Sequence, residues 1–409
     1  MFILRKTASR FISIFALVVL TSCGGGGSGA TSGPNDSSSA SARFLYTANG
    51  ASISQYRIDN SSGQLQFVQD YPASNPRALA TVANGKYLYT TNPTDGGVSA
   101  FRISPVDGLL SPIDADSVAP GIQNYSNGNT PYSITADPTG RYIYIGNHNP
   151  NLLTQESISA FRVNAMSGEL TRIDLSPNDP GTYDMAGTSP YNLSIDSTGN
   201  YLSIANYSGG RIDLYRIDQT TGTITFATSA SIQRGSFAAA PASISFVSNT
   251  NWLYVANNLG SVAAFGFAGS STMLQLNPID ADPSTTPIDD YRASTHPQGS
   301  TVDPSGRFLY VANFSTRSIS AYAIDRSYGT LSYIDADSST NEIENFDAGD
   351  SPTLLVADPT GRFLYVRNDG FYTNTPSISI LRIDATSGKL IANGTINTRS
   401  TGVGIVLVN

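Results

Sequence analysis

Few side chains in this 409-residue sequence are of the kinds that move protons, hold metals or form covalent bonds. There are two histidines, His148 and His296, and one cysteine, Cys23. Alternate aspartates recur as IDAD, giving Asp114 and Asp116, Asp280 and Asp282, and Asp335 and Asp337, with a variant IDLSPND at 173–179. Hard carboxylate oxygens in loop segments are how Ca²⁺ is often held. Aspartates at such positions also form Asx turns that cap a strand exit. The full calcium-loop pattern and zinc spacings are both missing, so the turn reading takes precedence and Ca²⁺ stays the one candidate cofactor. A copper or haem centre calls for several His, Cys or Met ligands, which two histidines and Cys23 do not supply.

A second set is defined by its neighbours. Arg77, Tyr132, Tyr191, Ala242, Gln298 and Thr353 each follow a proline that opens an apolar segment, and His296 precedes one of those prolines. The set holds one cation, two phenols and small or amide groups, with no carboxylate pair and no histidine. Such residues, brought together, would stack a sugar ring on Tyr132 or Tyr191 and pair a carboxylate or phosphate with Arg77.

The elements that must position these residues are repetitive. RFLYVAN (307–313) has six relatives: RFLYTAN (43–49), KYLYTTN (86–92), RYIYIGN (141–147), NYLSIAN (200–206), NWLYVAN (251–257) and RFLYVRN (362–368). Each leads into a second segment of the type SISAFRVN (157–164) or SISILRID (377–384), then a short turn and another apolar strand. Most are preceded by a further strand ending in a tight turn, as in SITADPTG (133–140). Asp-Pro-x-Gly places Pro at the second turn position and Gly where φ must be positive. The unit is four antiparallel strands, a to d, with the heptapeptide as strand b. Strand b is apolar on both sides, as a sheet sandwiched between other sheets requires. Seven such sheets packed around an axis predict an all-β, seven-bladed β-propeller over 43–409. Blade 1 has no a-strand before Arg43, and TGVGIVLVN (401–409) is a spare apolar strand, so the C-terminal strand is expected to join the N-terminal blade and close the ring.

Alternating strand direction puts the trimmed a–b and c–d links on one face and the long b–c and d–a links on the other. The a-strands line the channel, so the six post-proline residues are expected near its mouth on the long-loop face, where a small-molecule or protein ligand would bind. The seven asparagines ending strand b read as turn formers. One face is minimal and the other elaborated.

The N-terminus reads as an export signal. Arg5, Lys6 and Arg10 precede an apolar run, Phe11–Leu20, that is too short to span a bilayer, so 1–22 is expected to be a signal peptide. Leu20-Thr21-Ser22-Cys23 looks like a bacterial lipobox, which would make Cys23 the lipidated first residue and 23–42 a flexible Gly/Ser tether. Gly24 stands where lipoproteins kept at the inner membrane often carry Asp, so a Gram-negative host would send the protein to the outer membrane. Loss of three basic residues with 1–22 moves the formal charge from −8 to −11. That acidity argues against nucleic acid as a partner. With one Cys there is no internal disulfide, and stability must come from packing; a monomer is expected.

The run DPTGRFLYVRN…SISILRID…SGKL (358–390) resembles the seven-bladed lactonase-like propellers and related YVTN repeats, and the resemblance spans roughly 43–409. It implies the propeller fold and, by the family's 6-phosphogluconolactonase and carboxy-muconate cyclase members, a lactone-directed activity. In that family an Arg-His pair after a blade-initial Pro and a Glu just after strand b are associated with the active site. Ala242-Ser243 and Asn258 stand at those places here. A non-catalytic binding or scaffold module of the cell envelope is therefore the leading expectation. A lactone hydrolase and a Ca²⁺-dependent surface adhesion module are the alternatives.

Overall fold

The computed structural model describes residues 43–408 apart from 83, 116–123, 127–129, 149–156, 174–181, 185–188, 235–236, 239, 270–272, 285–289, 340–343 and 399–403. The expected signal peptide, Cys23, the tether, Asp116 and most of the links at 147–157 and 173–179 lie outside the described residues.

Seven antiparallel sheets each carry the a–b–c–d order. The inner a-strands are Gly404–Val408, Leu79–Val82, Pro131–Ala136, Pro190–Ile195, Pro241–Phe246, Pro297–Val302 and Pro352–Ala357, for blades 1 to 7. Each touches the next, and the last touches the first, which makes a closed ring. Blade 1 is completed by both ends of the propeller: Gly404–Val408 pairs with Arg43–Asn49, with Tyr46 opposite Val406. A seven-bladed β-propeller closed by its C-terminal strand is the fold.

Seven hydrophobic clusters fill the seams between blades, one per seam. Strand b serves two of them at once. In blade 6, Phe308, Tyr310 and Ala312 pack toward blade 7, while Leu309 and Val311 pack toward blade 5. Each fully buried aliphatic side chain of this kind contributes about 1.5–3 kcal/mol, and buried Thr47, Thr90, Ser203 and Arg367 are exceptions to the apolar pattern of strand b.

The same heptapeptide also supplies a polar latch. The phenol of its fourth residue donates to the carbonyl of the glycine in the next blade's c–d turn. The distances are 2.7 Å for Tyr89 to Gly168, 2.8 Å for Tyr144 to Gly222, and 2.9 Å for Tyr254 to Gly329, Tyr310 to Gly388 and Tyr365 to Gly63. Tyr46 bonds Gly108 in the same way. These glycines cannot be replaced: Gly388 has φ +73°, and a Cβ there would lie 2.4 Å from the Phe308 ring. The seam between blades 4 and 5 departs from the rule on both sides. Ser203 stands in place of the tyrosine, and the c–d link of blade 5 reads AGSSTM, without the SG or TG turn.

Two features went beyond the sequence reading. Strand c is about seven residues long, and two designs cover its outer edge. Blades 1, 4 and 7 use an eight-residue d-strand with a β-bulge, as in Leu65–Pro72. Blades 2, 3, 5 and 6 use a shorter d-strand, and the long d–a link returns to pair with the rest of strand c. In blade 3, for example, Leu170–Ile173 pairs with residues 160–163 and Thr182–Asp184 with 157–159. The asparagines ending strand b also need a correction. They are buried clamps between strands b and c rather than turn formers: Asn147 donates to Ser157 and Ser159, Asn368 to Ser379 at 2.8 Å, and Asn206 to Asp213.

Candidate functional site

The channel mouth is built by one backbone device used repeatedly. In blades 3 to 7 the register slips at the post-proline residue, so that Pro190 and Asn192 pair with strand b while Tyr191 between them does not. Proline fixes the local backbone and lacks an N–H, and the extra residue of a β-bulge is left out of the ladder, which re-aims its side chain. Tyr132, Tyr191, Ala242, Gln298 and Thr353 are these bulged residues, and Arg77 is their counterpart in blade 2. All six line a single cavity of about 100 Å³.

Charge and aromatic surface sit on one side of that cavity. The Arg77 guanidinium lies 3.4 Å over the centre of the Tyr132 ring. Tyr132 meets Tyr191 at 5.0 Å between ring centres, and Tyr191 meets Tyr207 at 5.0 Å. Arg77 makes no ion pair among the described residues. The buried Ser133 hydroxyl also lines the cavity and has no hydrogen-bond partner among the described residues. Burial pushes the Tyr191 phenol well above its ordinary value; Tyr132 and Asp369 push the same way and Arg77 opposes them. Tyr191 is thus a neutral donor and acceptor at any physiological pH. The site offers one cation, a stacking wall and neutral hydroxyls, a combination suited to an anionic polyol.

A second tier surrounds the first. The residue after each strand-b asparagine has its amide bonded to the carbonyl of the residue before the blade's proline: His148 to Thr130, Tyr207 to Ser189, Asn258 to Ala240, Phe314 to His296 and Asp369 to Ser351. That bond holds His148 with its ring 5.1 Å from Tyr132 and 6.5 Å from Tyr191. The tier brings one imidazole and one carboxylate, His148 and Asp369, to the same face as Arg77.

His296 behaves differently from the expectation that grouped it with the mouth. It is exposed, has φ +56°, bonds the Ser315 hydroxyl through Nδ1, and does not line the cavity. Its left-handed backbone is what turns the chain into Pro297. His148, Tyr207 and Ser133 were not singled out by sequence reasoning for the site. The signal was available: His148 and Tyr207 directly follow heptapeptides, at the place where Asn258 was examined.

The loop aspartates cap turns. Asp280 accepts the Asp282 amide, Asp282 the Ser284 amide and hydroxyl, Asp335 the Asp337 and Glu344 amides, and Asp337 the Ser339 amide. Hydrogen bonds from Ser284 hold the Asp282 carboxyl below the usual range, and those from Ser339 do so for Asp337. Among the described residues no group of three or more His, Cys, Asp or Glu side chains is placed to hold a metal. Asp114 belongs to the same pattern, and its partner Asp116 lies outside the described residues.

The seven-bladed ring, with polar groups gathered at one mouth of the channel, defines the protein as a β-propeller. Residues 37–125, 118–239 and 237–402 match the family described as "Lactonase, 7-bladed beta-propeller", and the chain belongs to that family. It is 26% identical over 359 residues to a 6-phosphogluconolactonase of Formosa agariphila, covering 83% of this chain and 91% of the relative. A 6-phosphogluconolactonase of Serratia proteamaculans is 25% identical over 285 residues, 68% of this chain and 76% of that one. Among solved structures, a putative 6-phosphogluconolactonase from Bacteroides fragilis superposes with TM-score 0.69 at 20% identity, over 92% of this chain and all of that one. A periplasmic gluconolactonase from Pseudomonas aeruginosa gives 0.68 at 18% identity, over 90% and 99%. At these identities the structural likeness speaks for the fold.

Of the residues singled out through the sequence resemblance, Ala242 is part of the cavity wall. Ser243 is buried, and its hydroxyl accepts from the Ser300 amide and hydroxyl of blade 6. Asn258 belongs to the second tier.

Proposed function

We propose that the protein binds a sugar acid or sugar lactone at the channel mouth, as a lipid-anchored propeller of the cell envelope. The observation that carries this reading is the gathering of all six post-proline residues around one cavity in which Arg77 rests on Tyr132 and has no ion pair among the described residues. The cavity accommodates one anionic group, with the remaining polyol extending along Tyr132 and Tyr191. Arg77 recognises the carboxylate or phosphate, and the phenols with Ser133 serve the hydroxyls.

Calorimetric titration with D-gluconate, 6-phosphogluconate and D-glucose tests it. The two anions should bind and glucose should not, and Arg77→Ala should weaken the anions at least about tenfold, the equivalent of 1.4 kcal/mol. Anion binding that is missing, or indifferent to Arg77→Ala, refutes the reading.

Lactone hydrolysis is the second reading. Two observations favour it: relatives named 6-phosphogluconolactonase align along most of their length, and the second tier places His148 beside Tyr132. A lactone carbonyl attacked by water needs a base and a group that stabilises the oxyanion. His148 is the residue available for the first and Arg77 for the second. Acid release from 6-phosphogluconolactone and glucono-δ-lactone, followed against the spontaneous rate, decides. Turnover that collapses in His148→Ala supports hydrolysis, and a rate equal to background with intact anion binding leaves a binding protein.

The anchor rests on the Leu-Thr-Ser-Cys run at 20–23. Acyl chains on Cys23 would supply the membrane affinity. Cys23→Ser should release the protein from the membrane fraction; wild type that takes up no lipid label would remove this part of the reading.

A further inference from the structure

Blade 5 breaks the repeat at its outer rim on the short-turn face. The first aromatic of strand b is covered by a cation in blades 2, 3, 4, 6 and 7. Arg102 and Lys86 lie over Tyr87 at 5.3 and 5.1 Å, and Arg162 and Arg141 over Tyr142 at 5.4 and 5.3 Å. Arg216 covers Tyr201 at 5.5 Å, Arg307 covers Phe308 at 5.0 Å and Arg362 covers Phe363 at 5.2 Å. These cations come from two places: the residue before the aromatic, and its register partner on strand c. In blade 5 both are stripped. The residue before the aromatic is Asn251, the partner across the ladder is Gly266, and the aromatic is Trp252.

The consequence is an uncovered indole in a groove of about 650 Å³, within the range of small-molecule sites. The ring is fixed from two sides. Its Nε1 donates to the Arg326 carbonyl at 3.0 Å, and it packs on Gly329 of blade 6, where a Cβ would lie 2.7 Å from Cδ2. Gly266 is required for its position, since a Cβ there would fall 2.5 Å from Cζ3. The exposed Tyr328 ring and the carboxamides of Asn249, Asn251 and Asn277 line the same groove. Those three carboxamides make no hydrogen bond among the described residues.

We propose that this groove is a saccharide-binding site, separate from the channel mouth, with a pyranose ring seated on Trp252. The C–H groups on one face of a pyranose carry partial positive charge and match the negative face of an aromatic ring. Carboxamides offer both donors and acceptors, as sugar hydroxyls require. A cationic ligand is disfavoured, because Arg326 and no Asp or Glu is among the residues that line the groove. An anion is not specifically served either: Arg326 is committed to the Ser305 and Ser248 carbonyls at 2.9 and 3.2 Å. The occupant that fits is neutral, flat on one side and rich in hydroxyls.

Trp252 is the only tryptophan in the chain, so its fluorescence reports on this groove alone. Titration with D-glucose, D-galactose, N-acetyl-D-glucosamine, cellobiose and maltotriose should give a saturable change in emission with at least one of them. Asn251→Ala and Asn277→Ala should each weaken that ligand about tenfold or more. Gly266→Arg, which places an arginine where blades 2, 3 and 4 have one over the ring, should abolish binding, and Arg77→Ala should leave it unchanged. No saturable response to any of the five sugars overturns the proposal. So does a response equal in wild type and both asparagine variants, which decide the matter even if Gly266→Arg fails to fold.

Discussion

Replacing a latch tyrosine by phenylalanine removes one oxygen and leaves the ring. Tyr310 is fully buried and its phenol donates at 2.9 Å to the Gly388 carbonyl in the next blade. No cavity of consequence forms, so the cost is that of a lost hydrogen bond with a buried acceptor left behind, about 1–3 kcal/mol. The latches at different seams share no partners and lie on separate blades. Tyr89→Phe, Tyr254→Phe and Tyr365→Phe combined should therefore add, to about 3–9 kcal/mol. A domain stable by about 5–15 kcal/mol would then stand near its unfolding threshold.

Urea unfolding, followed by Trp252 emission and far-ultraviolet circular dichroism, gives the measurement. Each single variant should shift the midpoint downward at unchanged slope, and the triple variant should shift it by the sum. Ser203→Tyr makes the opposite test. It adds a buried phenol at the seam whose c–d turn lacks the glycine pattern, and should destabilise rather than complete a seventh latch. Single variants all within about 0.3 kcal/mol of wild type would refute the latch, since that is the scatter expected for independent neutral changes. A stabilised Ser203→Tyr would refute the pairing of tyrosine with turn.

Three further outcomes follow from the same geometry. Burial pushes the phenols of Tyr46, Tyr89, Tyr144, Tyr254, Tyr310 and Tyr365 well above the ordinary value of 10.0. Folded protein therefore keeps protons that the unfolded chain loses, and stability should be intact below pH 10 and fall above it by about 1.4 kcal/mol per pH unit per tyrosine; alkaline melts with no steepening above pH 10 would contradict this. At the seam between blades 7 and 1, Arg43 and the buried Asp358 pair at 2.5 Å. Burial raises the Asp358 carboxyl, but hydrogen bonds from Thr360, Arg43 and the Phe363 and Arg362 amides outweigh it and hold it low. Its contribution is present above the ordinary carboxylate pKa and should be lost as pH falls through the depressed value. Arg43→Met should cost about 3–5 kcal/mol at neutral pH by stranding that carboxylate, and an unchanged urea midpoint would show that the pair does not hold the ring. Deleting residues 404–409 should expose strand b of blade 1 along Phe44–Ala48 and cause early melting or aggregation; an unaltered melt would contradict closure by that strand.

How much was legible in the sequence follows from what repeats. Strand b had to be apolar on both sides because each blade serves two seams, and seven copies with Asp-Pro-x-Gly turns left few architectures open. The closing strand was legible because Arg43 follows the Gly/Ser tether directly and 401–409 had no other use. The mouth was legible too, through proline: a residue after a Pro that opens an inner strand can be counted from the sequence alone. Other features were not. The returning segments at Tyr125–Ser126 and Phe346–Asp347 are two residues long, and nothing in so short a stretch sets its pairing. His296 was misplaced because proximity in sequence to Pro297 does not fix direction, and its left-handed backbone turns it to Ser315. His148 was overlooked because its approach to Tyr132 depends on a backbone bond to Thr130, which carries no signature in side-chain type.

The two proposed sites arise in opposite ways from the same constraint. Most positions in a blade are committed: strand b to two seams, its tyrosine to a glycine carbonyl, its asparagine to strand c. The post-proline residue is left out of the ladder in blades 3 to 7, and its side chain is aimed at the channel mouth. It varies among the six blades that carry it, as Arg77, Tyr132, Tyr191, Ala242, Gln298 and Thr353, and so gives the mouth five residue types. The groove at Trp252 lies where committed positions have been given up together. Gly266 stands where blades 2, 3 and 4 place a covering arginine, and Asn251 stands where blades 2, 3, 6 and 7 place a cation. Together they leave the Trp252 ring without a cation over it, beside the carboxamides of Asn249, Asn251 and Asn277.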